Sequence, residues 1–207
     1  MNRTALRNAL LVILALALSG CSVLVGTQRD PVTLYAPQLA AQPDPSWPRA
    51  DWQLAIAQPS GTRLVDGTRI GVRPVPGELQ VYRGAAWAQP ATDMIEAGVL
   101  HVLEESGKLA GVGRVATGLR ADYRLLMDVR RFEADYAGGP MPAATIEVSA
   151  TLLNHRDQRS VARHTFTRVQ PAVATDVASV AAAFDQALAA ISADIAGWTL
   201  VQGQADR

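Results

Sequence analysis

The chain of 207 residues has a single cysteine, Cys21, so no intrachain disulfide can form and no cluster of thiolates can hold a metal. Its three histidines, His101, His155 and His164, do not fall in a His-x-x-x-His or His-Glu-x-x-His spacing, and no metal site is expected. There is no Gly-x-Ser-x-Gly elbow for a serine nucleophile and no Gly-x-x-x-x-Gly-Lys loop to cradle phosphate. Neither sign of charge is in excess, with 19 basic and 19 acidic side chains, which argues against electrostatic binding of nucleic acid. No repeat of fixed period is visible. Beyond the N-terminal run, no stretch reads as long and apolar enough to span a bilayer, so the remainder is expected to be water-soluble.

The first twenty residues carry a different pattern. Arg3 and Arg7 precede an apolar run at residues 9–18 (ALLVILALAL), followed by Ser19, Gly20 and Cys21. A basic start, about ten apolar residues and small residues before the cut describe a secretory signal peptide, too short to persist as a spanning helix. Small residues followed at once by cysteine resemble the bacterial lipobox. That resemblance implies cleavage between Gly20 and Cys21, with acyl chains placed on the Cys21 sulfur and its new amino group. Loss of Arg3 and Arg7 leaves 17 basic against 19 acidic residues, a formal charge of −2. Two lipid signals already give stable anchoring, so Cys21 should hold the chain on a membrane. Ser22 stands where an aspartate would, by resemblance to the known sorting signal, favour the inner membrane, and its presence points to the outer membrane. The chain thus divides into a signal peptide (1–20), a lipidated tether (21–32) and a periplasmic domain (33–207). At ~3.3 Å per residue the tether reaches at most about 36 Å.

Within the domain, short strands are expected at Thr33 to Tyr35, Trp52 to Ala57, Arg69 to Arg73 and Glu78 to Tyr82, with a proline-rich extended loop from Pro37 to Pro48. A helix follows Pro90, capped by Thr92 or Asp93, presenting Ile95, Val99, Val102 and Leu103 on one face and stopping at Gly107. The glycine pattern Gly111-x-Gly113-x-x-Ala116 follows a helix and opens a strand, the reverse of a dinucleotide site.

The segment from Asp122 to Tyr136 alternates Tyr123, Leu125, Met127 and Val129, then resumes one residue out of phase at Phe132 and Ala134. This predicts a β-bulge at Arg130-Arg131. Matching the apolar positions of the next strand places Phe132 opposite Val148 and Met127 opposite Leu152. A four-residue turn at Arg156 to Arg159 then sets Glu147 opposite Arg168, and an odd-numbered loop would break that register. Val177, Val180, Ala181, Phe184, Leu188, Ile191, Ile195 and Trp198 step by three and four, predicting a long final helix lying on the sheet. The expected fold is an α/β (α+β) two-layer sandwich: a largely antiparallel sheet with two helices on one face.

Few side chains suggest chemistry. Asp122, Arg124, Asp128 and Arg130 alternate in sign and read as a solvated sheet face with screened ion pairs. Trp52, Tyr82 and Trp87 read as core, whereas Trp47, in the proline-rich loop, is the candidate for partner contact.

The lipobox, Leu34-Tyr35, the segment Leu64-Val65-Asp66-Gly67-Thr68-Arg69-Ile70, Tyr82 with Trp87 before the first helix, and Ala121-Asp122-Tyr123 opening the long strand together resemble the ABC-type transport auxiliary lipoprotein family. The resemblance implies a non-enzymatic lipoprotein with no cofactor beyond the lipid on Cys21. It would sit on the periplasmic face of the outer membrane and dock an MCE-domain protein of an intermembrane lipid transport system, whose ABC permease and ATPase supply the energy. A homo-oligomer would suit a multimeric partner. The alternatives are a lipopolysaccharide-assembly-like lipoprotein and an envelope hydrolase.

Overall fold

The computed structural model describes residues 31–38, 40–118 and 120–207. Gly20 and Cys21, with the segments expected to be signal peptide and most of the tether, lie outside the described residues.

The long alternating segment becomes strand β7 (Tyr123–Asp135), and the rest of the sheet is arranged around it. One edge of β7 pairs antiparallel with β8 (Ala143–Asn154), which pairs antiparallel with β9 (Ser160–Pro171). The other edge receives three short strands in turn, all parallel to it: β2 (Gln53–Ile56) at Tyr123 to Leu125, β3 (Ser60–Gly61) at Asp128 and Val129, and β4 (Arg69–Arg73) at Glu133 to Asp135. Strand β5 (Gln80–Trp87) is antiparallel to β4, β1 (Thr33–Tyr35) is parallel to β5, and β6 (Gly111–Arg114) is parallel to β2. The sheet is mixed, with its longest ladders antiparallel. Helices α1 (Ala91–Ser106) and α2 (Val177–Ala205) pack on each other and against the sheet, completing the two-layer α+β fold.

The periodicities account for the core. On β8 the alternate residues Ala144, Ile146, Val148, Ala150 and Leu152 are all fully buried, as are Leu125 and Val129 on β7. The helix stripe Val180, Phe184, Leu188, Ile191 and Ile195 is fully buried against them. Phe184 stacks on Phe132 at 4.6 Å between ring centroids and meets Trp87 edge-on at 5.0 Å. By length and composition alone α2, with a mean hydropathy of 1.2 over its most apolar window, could cross a membrane, contrary to the expectation that no such stretch exists. It is instead a core helix, with most of that window buried within the protein.

Several expectations are corrected. The bulge lies where the phase slip put it, with Val129 opposite Val148 and Arg131 opposite Glu147, but the ladder is displaced by two residues. Phe132 faces Ile146 and Met127 faces Ala150. A two-residue shift preserves which face each side chain occupies, so the apolar pattern cannot detect it. The β8–β9 connection has five residues, closed by the Asn154 N–H donating to the Arg159 carbonyl (2.9 Å). Next to the turn Leu153 pairs with Ser160, but Leu152 pairs with Ala162, so Val161 is an extra residue, and this bulge moves Thr167, not Arg168, opposite Glu147, and His164 opposite Ala150.

Strand β5 runs past Tyr82 to Trp87, because Gly84, in the left-handed region at φ 65°, absorbs the irregularity in its pairing with β4. Helix α1 starts at Ala91, directly after Pro90, so neither Thr92 nor Asp93 caps it. The Ala91 N–H donates to the Val65 carbonyl (3.1 Å) instead, and the Thr92 hydroxyl donates to Asp66 (3.1 Å). Gly107 does end the helix, at φ 56°. Asp176 caps α2 by accepting the Ser179 N–H at 2.9 Å.

Candidate functional site

The proline-rich segment before β2 has no regular structure, but it is tied along α2. The Gln38 N–H donates to Asp185 (3.3 Å), and further on Trp47 and Trp52 rest on α2 at two glycines. A Cβ on Gly197 would lie 2.7 Å from the Trp47 indole nitrogen, and one on Gly203 would lie 2.4 Å from the Trp52 ring. Trp52 and Trp87 are core, as expected, and Tyr82 packs at its margin. Trp47 is half-buried, so much of the indole singled out for partner contact is already spent on the fold.

At the end where β7 begins, Asp206, just beyond α2, gathers three donors: Arg159 Nη2 (2.6 Å), Tyr123 Oη (3.1 Å) and Asn154 Nδ2 (3.4 Å). The hydrogen bond from Arg159 is the main cause that lowers the Asp206 pKa, while burial raises that of the Tyr123 phenol. Beside this cluster opens a polar cleft of about 440 Å³, lined among others by Asp122, His155, Arg156 and Arg207. Asp157 also lines it, and Arg207 pairs with Asp51 at 3.2 Å.

The sheet face turned away from the helices carries a second cluster. Arg73 grips Glu133 through Nε (2.8 Å) and Nη2 (3.0 Å), while Arg131 Nε reaches the same carboxylate (2.8 Å) and its Nη2 reaches Asp135 (2.5 Å). Burial pushes the Glu133 pKa up, but the hydrogen bonds and charges of the two arginines outweigh it, and the pKa ends lowered. Asp135 behaves alike, with the Ala137 N–H and Arg131 overcoming burial. Glu133 is therefore an ionised structural tie, not a poised acid.

Asp122 and Asp128, read from sequence as solvated, also act as ties. Asp122 accepts the Gln53 N–H (2.8 Å) and Asp128 the Ser60 hydroxyl (3.0 Å), fastening β2 and β3 to β7. Arg130 lies 3.5 Å from Asp128 and 3.7 Å from Glu147, the screened pairing expected. Among the described residues no group of three or more His, Asp or Glu side chains is arranged to hold a metal.

The apolar surface is concentrated at the opposite end. Val75 and Leu79 in the β4–β5 turn, Met141 in the β7–β8 loop and Val173 between β9 and α2 are all exposed, Val173 at 89%. None of them stands out in sequence, because the three segments come together only through the ladders.

Comparison with known proteins adds a family and a fold. The profile of the family described as ABC-type transport auxiliary lipoprotein component matches residues 33–196. The crystal structure of protein XCC0632 from Xanthomonas campestris is similar at 55% identity and a TM-score of 0.82, covering 84% of this chain and 98% of that one. A crystal structure of an uncharacterized protein, 16% identical, shares the fold with a TM-score of 0.62 over 80% of this chain and 97% of its own. Uncharacterized protein bll6063 of Bradyrhizobium diazoefficiens is 28% identical over 153 residues, 72% of this chain and 39% of that protein. The chain thus spans about two fifths of the length of this curated relative.

Proposed function

We propose that this chain, which belongs to the ABC-type transport auxiliary lipoprotein family, is the non-catalytic component that docks an MCE-domain protein at the outer membrane of an intermembrane lipid transport system. Cleavage between Gly20 and Cys21 and acylation of Cys21 fasten it to the periplasmic face of that membrane. The partner reaches across from the inner membrane, where an ABC permease and ATPase supply energy, and the cargo is phospholipid or a related apolar molecule. The family match over residues 33–196 is the observation that carries this reading. The ionic clusters fit it, because arginines hold Glu133 and Asp206 ionised and committed to the fold. Purification of the native lipoprotein from gently solubilised envelopes should bring an MCE-domain protein with it. Recovery of the lipoprotein alone, or with a large outer-membrane barrel instead, would contradict the reading.

A further inference from the structure

Four exposed apolar residues, Val75, Leu79, Met141 and Val173, lie at one end of the molecule. The Tyr136 N–H donates to the Arg73 carbonyl (3.0 Å), joining the β7–β8 loop to the β4–β5 turn. The Ala172 N–H donates to the Pro142 carbonyl (3.0 Å), joining that loop to the segment after β9. The three segments, 74–79, 136–142 and 169–176, are rich in proline, glycine and aliphatic residues, and their only charged side chains are Glu78 and Asp176. Asp176 is committed to the α2 cap, and Glu78 is met by the Gln80 amide. Gly77 and Gly138, both in the left-handed region at φ 84° and 79°, turn the chain sharply there. A proline-stiffened tip with four exposed apolar side chains and no basic one marks a contact site.

The direction of β1 says what covers it. Strand β5 leaves the β4–β5 turn and runs away from this end, and β1 lies parallel to it, Thr33 beside Ala85 and Tyr35 beside Trp87. The Thr33 end of β1 therefore points toward the side of the apolar tip. Val32 and Leu34, 55% and 65% exposed, extend the apolar surface toward that point. Cys21 is only eleven residues before Val32, within about 36 Å at ~3.3 Å per residue.

We propose that this end is seated on the bilayer that holds Cys21, with Val75, Leu79, Met141 and Val173 entering its interfacial layer. The proposal rests on the lipid anchor of the preceding reading. The three segments carry no basic side chain, and Arg73 beside them is held by Glu133, so the contact is with the apolar part of the lipid and needs neither anionic headgroups nor low salt. The charged end, with Asp206 and Arg156, then faces away from the membrane.

The test uses the full acylated chain, reconstituted in phosphatidylcholine vesicles with and without nitroxide-labelled lipid. An environment-sensitive dye is attached to Leu79→Cys, to Val173→Cys or, at the far end, to Arg156→Cys. The dyes at 79 and 173 should shift to the blue and lose most of their emission to the nitroxide lipid, equally at low and high salt, while the dye at 156 is unaffected. Dyes at 79 and 173 that match the one at 156 would overturn the seat. So would protection from aqueous iodide without quenching by lipid, which would put a second copy of the chain there. An unsubstituted chain that takes up dye at Cys21 and does not float with vesicles would overturn the anchor itself, and the seat with it.

Discussion

The two ends of the molecule are built on the same strands and the same helix, yet their surfaces are opposites. At one end β4, β5, β7, β8, β9 and α2 meet in short loops of proline, glycine, valine, leucine and methionine over the ring cluster of Trp87, Phe132 and Phe184. At the other, β2, β7, β8, β9 and the end of α2 meet in charged turns over the edge-on pair of Trp52 and Tyr123, centroids 4.9 Å apart. The core is continuous between them, so each tip is free to serve a different environment without changing the fold. At the charged end the surface groups also hold the structure together through Asp206. At the apolar end the exposed side chains are spare, which is why a bilayer is a fitting neighbour for them.

The comparison breaks first at the cores beneath the tips. Phe184→Ala should cost about 3–5 kcal/mol, read from denaturant unfolding, because it leaves a void under two aromatic rings. At the charged end, Gly203→Ala should cost about 1–3 kcal/mol, since the fully buried Trp52 cannot withdraw from the new methyl group. Gly197→Ala should cost less, because half-buried Trp47 stands on a loop and can swing aside. Tyr123→Phe, which removes the phenol that donates to Asp206, should cost about 1 kcal/mol.

The pH dependence sharpens the contrast further. Asp206, Glu133 and Asp135 have folded pKa values below their ordinary ones. Their contribution is present above the unfolded carboxylate range near about pH 4 and is lost as pH falls through the folded values. Asp206→Asn and Glu133→Gln should therefore each flatten the loss of stability below pH 4 in acid titrations followed by circular dichroism. The smallest effect belongs to the apolar tip, where Val173→Ser should leave stability within about 0.5 kcal/mol.

What could be read from the sequence follows the range of the signal. Alternation along β7, the phase slip at Arg130 and the stripe of α2 are local, and they located the strand, the bulge and the core helix. Register depends on loop geometry. The two-residue displacement of β7 against β8 left no mark on the apolar pattern, and the one-residue shift of β9 is marked only by Phe166, buried opposite Val148. Long-range pairings were hidden as well: Arg131, Glu133 and Asp135 share a strand face in plain view, but Arg73 joins them only through the parallel β4–β7 ladder. Trp47 was read from its proline-rich surroundings, whereas its position depends on a glycine 150 residues away. The resemblance of Ser19-Gly20-Cys21 to a lipobox is visible because that motif is linear. The apolar tip is not, because it is assembled from three separated segments, each of which looks like an ordinary turn.

Intact-mass analysis of the chain extracted from its native envelope bears most directly on this account. A polypeptide beginning at Cys21 and carrying acyl chains is the result it requires. A chain that retains the first twenty residues, or begins at Cys21 without lipid, would contradict it.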